Sequence, residues 1–399
     1  MEHKPPELPE LPAGIQTFEE VRDRQAVYVD KTKYFPLLPN GRKVVFCARP
    51  RRFGKSLTVS ALDAFFSGRK DLFKGLAAEE FMNSPEFTPK PVIHLDMSEF
   101  DNSRSLEILE GKIRKYLTVI AKQYKVALQW DDAASAFSNL LKDVSEAAAQ
   151  KIVLLIDEYD APVISLIQRE LTYDPKLAEQ TRNLMRSFYS KIKSNDKVLD
   201  FVFITGISKF SRMGVFSPLN NLVDISIDSK FAAFMGLTQK ELEVNFAPHL
   251  RATAKKLRLR KKELLERIRE YYDGFSFDGK TRVCNPFSAL LFFTDSKFNK
   301  YWIESGSSGF IRKFLRDKKL TVEEFSGVPV TEDFARTPGE IGSAPPEGFL
   351  YQAGYLTLRE GSNGYYTLDY PNFEVRTALS ALFMDNLYSS ERMAEAAAV

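Results

Sequence analysis

The 399 residues exceed one ordinary domain, and 44% apolar content with 32 phenylalanines excludes a disordered chain. With 56 basic against 53 acidic residues, the net charge of +3 excludes wholesale coating of nucleic acid but leaves room for a local basic patch. Two cysteines and three histidines exclude a disulfide framework, a zinc spacing and a His-rich metal site.

Residues 1–13 read as a flexible Pro/Glu tail. It is polar, so no signal peptide is expected. No apolar run approaches the roughly 20 residues of a membrane span. A soluble, reducing, cytoplasmic setting is expected. From Gly14 the pattern tightens. Thr17 and Glu20 have the spacing of a capping box. Tyr28–Thr32 follows, then a helix-like Tyr34–Leu38 and a turn at Asn40-Gly41. Tyr28 is a candidate wall for a base pocket, or simply a packing residue.

The stretch Lys43–Ser56, KVVFCARPRRFGKS, organises the rest. Val44–Cys47 is a short apolar run, the pattern of a buried strand. A tight loop leads into Gly54-Lys55-Ser56. An amphipathic helix then begins, with Leu57, Ala61 and Phe65 on one face and Gly68 as its stop. Strand, loop, Gly-Lys-Ser and helix is the layout of a phosphate-binding loop. Loop amides and a helix N-terminus present positive charge to an anion. Lys55 is expected to reach the outer phosphates, and the Ser56 hydroxyl to hold Mg2+. Arg51, Arg52, Phe53, Gly54 and Leu57 complete the candidate cofactor-binding set. Arg49 stands where the usual pattern has its first glycine, so this loop is charged and stiff.

Pro91–Asp96 reads as a second buried strand; Leu106–Ile120 and Ala133–Ala149 read as helices. Lys151–Asp160, KIVLLIDEYD, is a strand buried on both faces that ends in adjacent carboxylates. Asp157 is a candidate metal ligand, and Glu158 a candidate base for the attacking water. Asp160 and Pro162 are expected to shape the loop. Asp174-Pro175 starts a helix whose apolar face is Leu177, Leu184, Phe188 and Ile192. Val198–Gly206 is a third apolar strand, and Thr205 at its tip could sense the γ-phosphate. Arg212 beyond it reads as an arginine finger or a surface arginine. Asn221–Ile227 reads as a further strand. Repeated strand–helix units predict an α/β fold with a mainly parallel sheet covered by helices. The three motifs then meet at the C-terminal strand edge, where such sheets bind ligands.

From Leu237 the composition changes. Thr238–Glu241 is a capping box, and Leu257–Tyr272 is strongly helical. The basic run Lys255–Lys262, KKLRLRKK, reads as a solvated helix face or a nucleic-acid contact. We expect a P-loop core over 14–234, a helical lid over 235–315 and a linker over 316–345. A winged-helix-like unit over 346–390 follows, built from a helix at Gly348–Leu356, a hairpin around residues 361–364 and a helix from Pro371.

Together these residues resemble the AAA-ATPase-like family of P-loop proteins. The resemblance rests on RPRRFGKS at Arg49–Ser56, YVDKT at Tyr28–Thr32, IDEYD at Ile156–Asp160 and ITGISKFS at Ile204–Ser211. It continues in NNL at Asn220–Leu222, LYQAGYLT at Leu350–Thr357 and YPNFEVR at Tyr370–Arg376. It implies an ATP- and Mg2+-binding domain of the AAA/STAND kind, an oligomer being compatible with it. It also implies coupling to a nuclease or DNA partner, since many members continue into a PD-(D/E)XK nuclease-like domain. No strand pair with an Asp and a Glu-x-Lys follows YPNFEVR here. The expected activity is Mg2+-dependent ATP hydrolysis; the alternative is a nucleotide-gated module that regulates or binds DNA without hydrolysis.

Overall fold

The computed structural model describes residues 8–101, 103–167, 174–207, 215–216, 219–304, 323–336, 345–361 and 365–384. The apolar runs become five parallel strands: β1 (Val44–Ala48), β2 (Val92–Asp96), β3 (Ile152–Asp157), β4 (Leu199–Gly206) and β5 (Leu222–Asp224). Their order is β2-β3-β4-β1-β5. Every residue of β1 and β3 is buried. Side chains alternate between two layers, as the period of two requires. Val44 and Phe46 face one core with Ile93, Leu154 and Val202; Val45 and Cys47 face the other with Val153, Leu155 and Phe203.

Helices cover both faces. Against the first core lie α4 (Leu106–Gln123), α5 (Ala133–Ala148) and α7 (Pro175–Ser194), where Phe137 stacks on Phe188 at 4.2 Å. Against the second lie α1 (Phe18–Asp23) and α2 (Lys55–Phe66), with a Phe cluster at 18, 35, 65 and 73. Two short helices, α3 (Glu79–Asn83) and α6 (Ala161–Ile167), complete this half. This is a P-loop-like α/β architecture.

Several local expectations change. Thr17 is the N-cap of α1, but its side chain makes no capping bond, and Glu20 pairs with Arg24 instead. Residues 32–37 form a 3-10 helix with Pro36 inside it, because proline removes the donor an α-helix needs. The buried face of α7 is Ala178, Thr181, Met185, Phe188, Tyr189 and Ile192; Leu177 and Leu184 are half-buried at its margin. The strand expected over 221–227 shrinks to β5. Asp224 accepts from the Ser226 amide at 2.8 Å, a local turn that ends the ladder. The helix expected over 257–272 is interrupted. Helices Ala247–Leu257 and Lys261–Tyr272 meet at Arg258, whose φ of 56° is left-handed.

The chain after Gly236 begins with the helix Gln239–Asn245, capped reciprocally by Thr238 and Glu241. The helices at 247–257 and 261–272 and the helix Pro286–Asp295 pack around Leu250, Leu264, Tyr272 and Phe292. A short hairpin, β6 (Phe275–Ser276) and β7 (Arg282–Val283), lies between them in sequence. Farther on, β8 (Val328–Val330), β9 (Thr357–Glu360) and β10 (Tyr366–Asp369) form an antiparallel sheet ordered β8-β10-β9. Thus part of the stretch read as a linker is an edge strand. The helix Pro346–Ala353 and a helix at residues 373–384 flank this sheet. Residues 362–364, at the expected hairpin turn, lie outside the described residues, as do those beyond 384. Among the described residues no helix is long and apolar enough to cross a membrane.

Candidate nucleotide site

β1 ends at Ala48, and the loop 49–53 carries the chain over the strand tips to α2. Two backbone features make the bend. Arg52 has φ 68° and Gly54 has φ 82°. A Cβ at Gly54 would meet nothing within 4 Å, so glycine is needed there for its backbone freedom rather than for space. The turn tucks Lys55 beneath the loop. Its side chain is buried, and Nζ donates to the carbonyls of Arg49 (3.3 Å) and Pro50 (3.2 Å).

β4 lies between β1 and β3, so the tips of all three strands share one rim. Across that gap the Ser56 hydroxyl favours the charged form of the Asp157 carboxylate. Asp157 is buried at the end of β3, opposite Asp96 of β2. One of its oxygens accepts the Glu158 amide at 2.9 Å. Glu158 is itself left-handed, at φ 47°. Burial pushes the carboxyls of both Asp157 and Glu158 up, and Lys55 pulls both back. Burial also pushes Lys55 down, opposed by Glu158, Asp157 and Asp160 and reinforced by Arg51. Lysine, hydroxyl and paired carboxylates, more than 100 positions apart in the chain, therefore share one electrostatic neighbourhood.

The remaining candidates have mixed surroundings. Thr205 is fully buried, and its hydroxyl donates to the Cys47 carbonyl at 2.7 Å, stitching β4 to β1. The Phe53 side chain is buried against Phe275 and Phe277. Arg51 is half-buried; Arg52 is exposed, with its guanidinium 4.5 Å above the Phe287 ring. Tyr28, Gly54 and Leu57 line one groove with Thr58, Lys31, Met235 and Leu290, enclosing about 650 Å³ up to its open mouth. Burial pushes the Tyr28 phenol up. Arg212 lies outside the described residues.

Three contributors escaped the sequence reading. Arg49 is only 1% exposed. Its guanidinium donates to the carbonyls of Ala48 (2.9 Å), Ser226 (2.8 Å) and Phe231 (3.1 Å) and lies 3.9 Å from the Phe277 ring centre. Asp96 lies near both Asp157 and Glu158; a polar residue ending an apolar strand was its available signal. Lys31 is buried beside the groove and pairs with Glu241 at 2.7 Å, which no spacing could reveal.

The parallel sheet, the strand-to-helix loop and the paired acids at the strand ends define a P-loop-like class of protein. A family model described as predicted AAA-ATPase matches residues 12–216. A protein of Azotobacter chroococcum mcd 1, "Uncharacterized protein in vnfD 5'region", is 34% identical over 375 residues. The match covers 93% of this chain and 69% of that relative. The chain belongs to the AAA-ATPase-like family.

Proposed function

We propose that the protein binds ATP with Mg2+ at the 49–56 loop and hydrolyses it. The observation that carries this reading is a buried Lys55 at the loop whose charge acts on Asp157 and Glu158 at the end of β3. Lys55 and the amides of residues 51–57 bind the phosphates. Arg51 and Arg52 add charge to the loop, and Arg212 is a further candidate for the developing negative charge. Tyr28 and Leu57 wall the base in the apolar groove.

Electrostatics call for a cation. Arg51 and Lys55 face Asp157, Glu158 and Asp160, and this acidic excess opposes a bare triphosphate. Among the described residues no group of three or more His, Cys, Asp or Glu could hold a metal. That fits Mg2+, which takes one or two protein ligands and completes its shell with phosphate and water. Ser56 and Asp157 would hold it, and it would neutralise phosphate charge. Glu158, kept up by burial, is the base that takes the proton of the attacking water. Thr205 acts through the sheet, since its hydroxyl already serves Cys47. Glu158→Gln should keep ATP affinity and lower the rate of phosphate release by roughly 100- to 10,000-fold. Phosphate release at the parental rate in that variant excludes Glu158 as the base.

A second reading has its own observation. Arg251, Lys255, Lys256, Arg258, Arg260, Lys261 and Lys262 are all exposed at the corner between two helices, and no acid interrupts residues 251–262. Lys261 and Lys262 open a helix whose Arg260 N-cap makes no side-chain cap, and cations are unfavourable there. The helix dipole accounts for Lys255 and Lys256, which close the preceding helix, but not for Lys261 and Lys262. We therefore propose DNA backbone as the partner of this corner, within a lid over 235–315 beside a winged-helix-like unit. Such a partner makes the ATPase a regulator of nucleic-acid work, or a nucleotide-gated switch. Duplex DNA should bind with strong salt dependence. Changing Lys255, Arg258, Arg260 and Lys262 to alanine should flatten that dependence by about three to four in log–log slope. Equal slopes for parent and variant exclude the corner.

A further inference from the structure

The outer side of the phosphate loop is held, residue by residue, by the C-terminal half of the chain. Arg49 stacks on Phe277. Pro50 meets Gly354, where an added Cβ would lie 2.7 Å from the proline ring. The Arg51 carbonyl accepts from Trp302 Nε1 at 3.2 Å and from Asn285 Nδ2 at 3.4 Å. Arg52 lies over Phe287, and Phe53 packs edge-to-face on Phe275 at 4.9 Å. Phe53 thereby belongs to the same apolar core as Trp302, Tyr355, Leu368 and Val375.

Simple packing between two halves of a chain would explain contact here. It does not explain why the contact includes main-chain hydrogen bonds to the loop itself. Those bonds lie next to a pair that must break. In this structure Lys55 Nζ donates to the carbonyls of Arg49 and Pro50. When Lys55 turns to a phosphate, both carbonyls lose their donor. The next carbonyl in the chain is that of Arg51, the one bonded to Trp302 and Asn285. Any readjustment of the loop therefore reaches the indole through one peptide unit.

We propose that Trp302 and Asn285 are positioning residues of the phosphate loop, and that ATP occupancy and the seating of the C-terminal sheet on that loop form one linked equilibrium. This rests on the ATP-binding reading above. Linkage of this kind is reciprocal: ATP strengthens the Trp302 contact by the factor by which that contact strengthens ATP binding.

The chain has two tryptophans, so Trp130→Phe leaves Trp302 as the sole indole. Trp130 is half-buried beside Arg114, away from the loop. In that background Mg·ATP should change Trp302 emission saturably, with the midpoint that equilibrium dialysis of radiolabelled ATP gives. The change should be absent with Lys55→Ala. Trp302→Phe keeps a ring and removes the donor; it should weaken ATP binding by about fivefold, the worth of one hydrogen bond. ATP bound by dialysis with silent Trp302 emission overturns the linkage, whether or not Trp302→Phe folds. Failure of ATP to bind at all is a different result: it overturns the nucleotide reading and the linkage with it.

Discussion

Lys55→Ala is expected to abolish ATP binding while leaving the fold in place. The lysine is buried at the centre of the rim, and its charge acts on Asp157, Glu158 and Asp160 together. Without it those acids face the phosphates with only the loop arginines and the metal to offset them. Truncating one member of a buried charge pair costs about 2–5 kcal/mol, or roughly 30- to several thousandfold in affinity. Equilibrium dialysis reads this directly, with far-UV circular dichroism as the check on folding. An affinity equal to the parent's would remove the phosphate-loop assignment altogether.

The second large effect concerns Arg49, where the common loop pattern has glycine. Restoring that glycine should harm the protein. Arg49→Gly removes donors to three carbonyls; that of Phe231 keeps the Phe234 amide, and that of Ser226 is left deep in the structure. It also removes the stack on Phe277. Buried acceptors that lose a charged donor cost more than the bond's net worth, so about 3 kcal/mol or more of stability should go. The denaturant midpoint measures it. A midpoint equal to the parent's, together with tighter ATP binding, would make the arginine dispensable.

The two positions differ in how they could be read. Lys55, Ser56, Asp157 and Glu158 stand out because strand-end chemistry has a local signature: an apolar run, then a polar cluster. The same signature holds for β1, β3 and β4, so the sheet and its functional edge are legible. Helix starts were legible where a side chain had no competing partner, as at Asp174, which caps its helix, and illegible at Thr17, where Glu20 is drawn to Arg24. Arg49 and Trp302 were not readable as a pair of supports for the loop. Their long-range hydrogen-bond partners lie about 180 and 250 positions away and are main-chain carbonyls, which carry no sequence identity. Leu177 and Leu184 went astray for a milder reason. A helix face is set by what covers it, and a small residue such as Ala178 lets a neighbouring helix come close.

The left-handed backbone at Glu158 has a practical side. Glycine or asparagine would settle into that geometry with less strain, so the carboxylate is kept there against local preference. A directed-evolution campaign that rewards heat tolerance alone would be free to discard it. On the role proposed for Glu158, its winners would be sturdier proteins that still hold nucleotide and no longer turn it over.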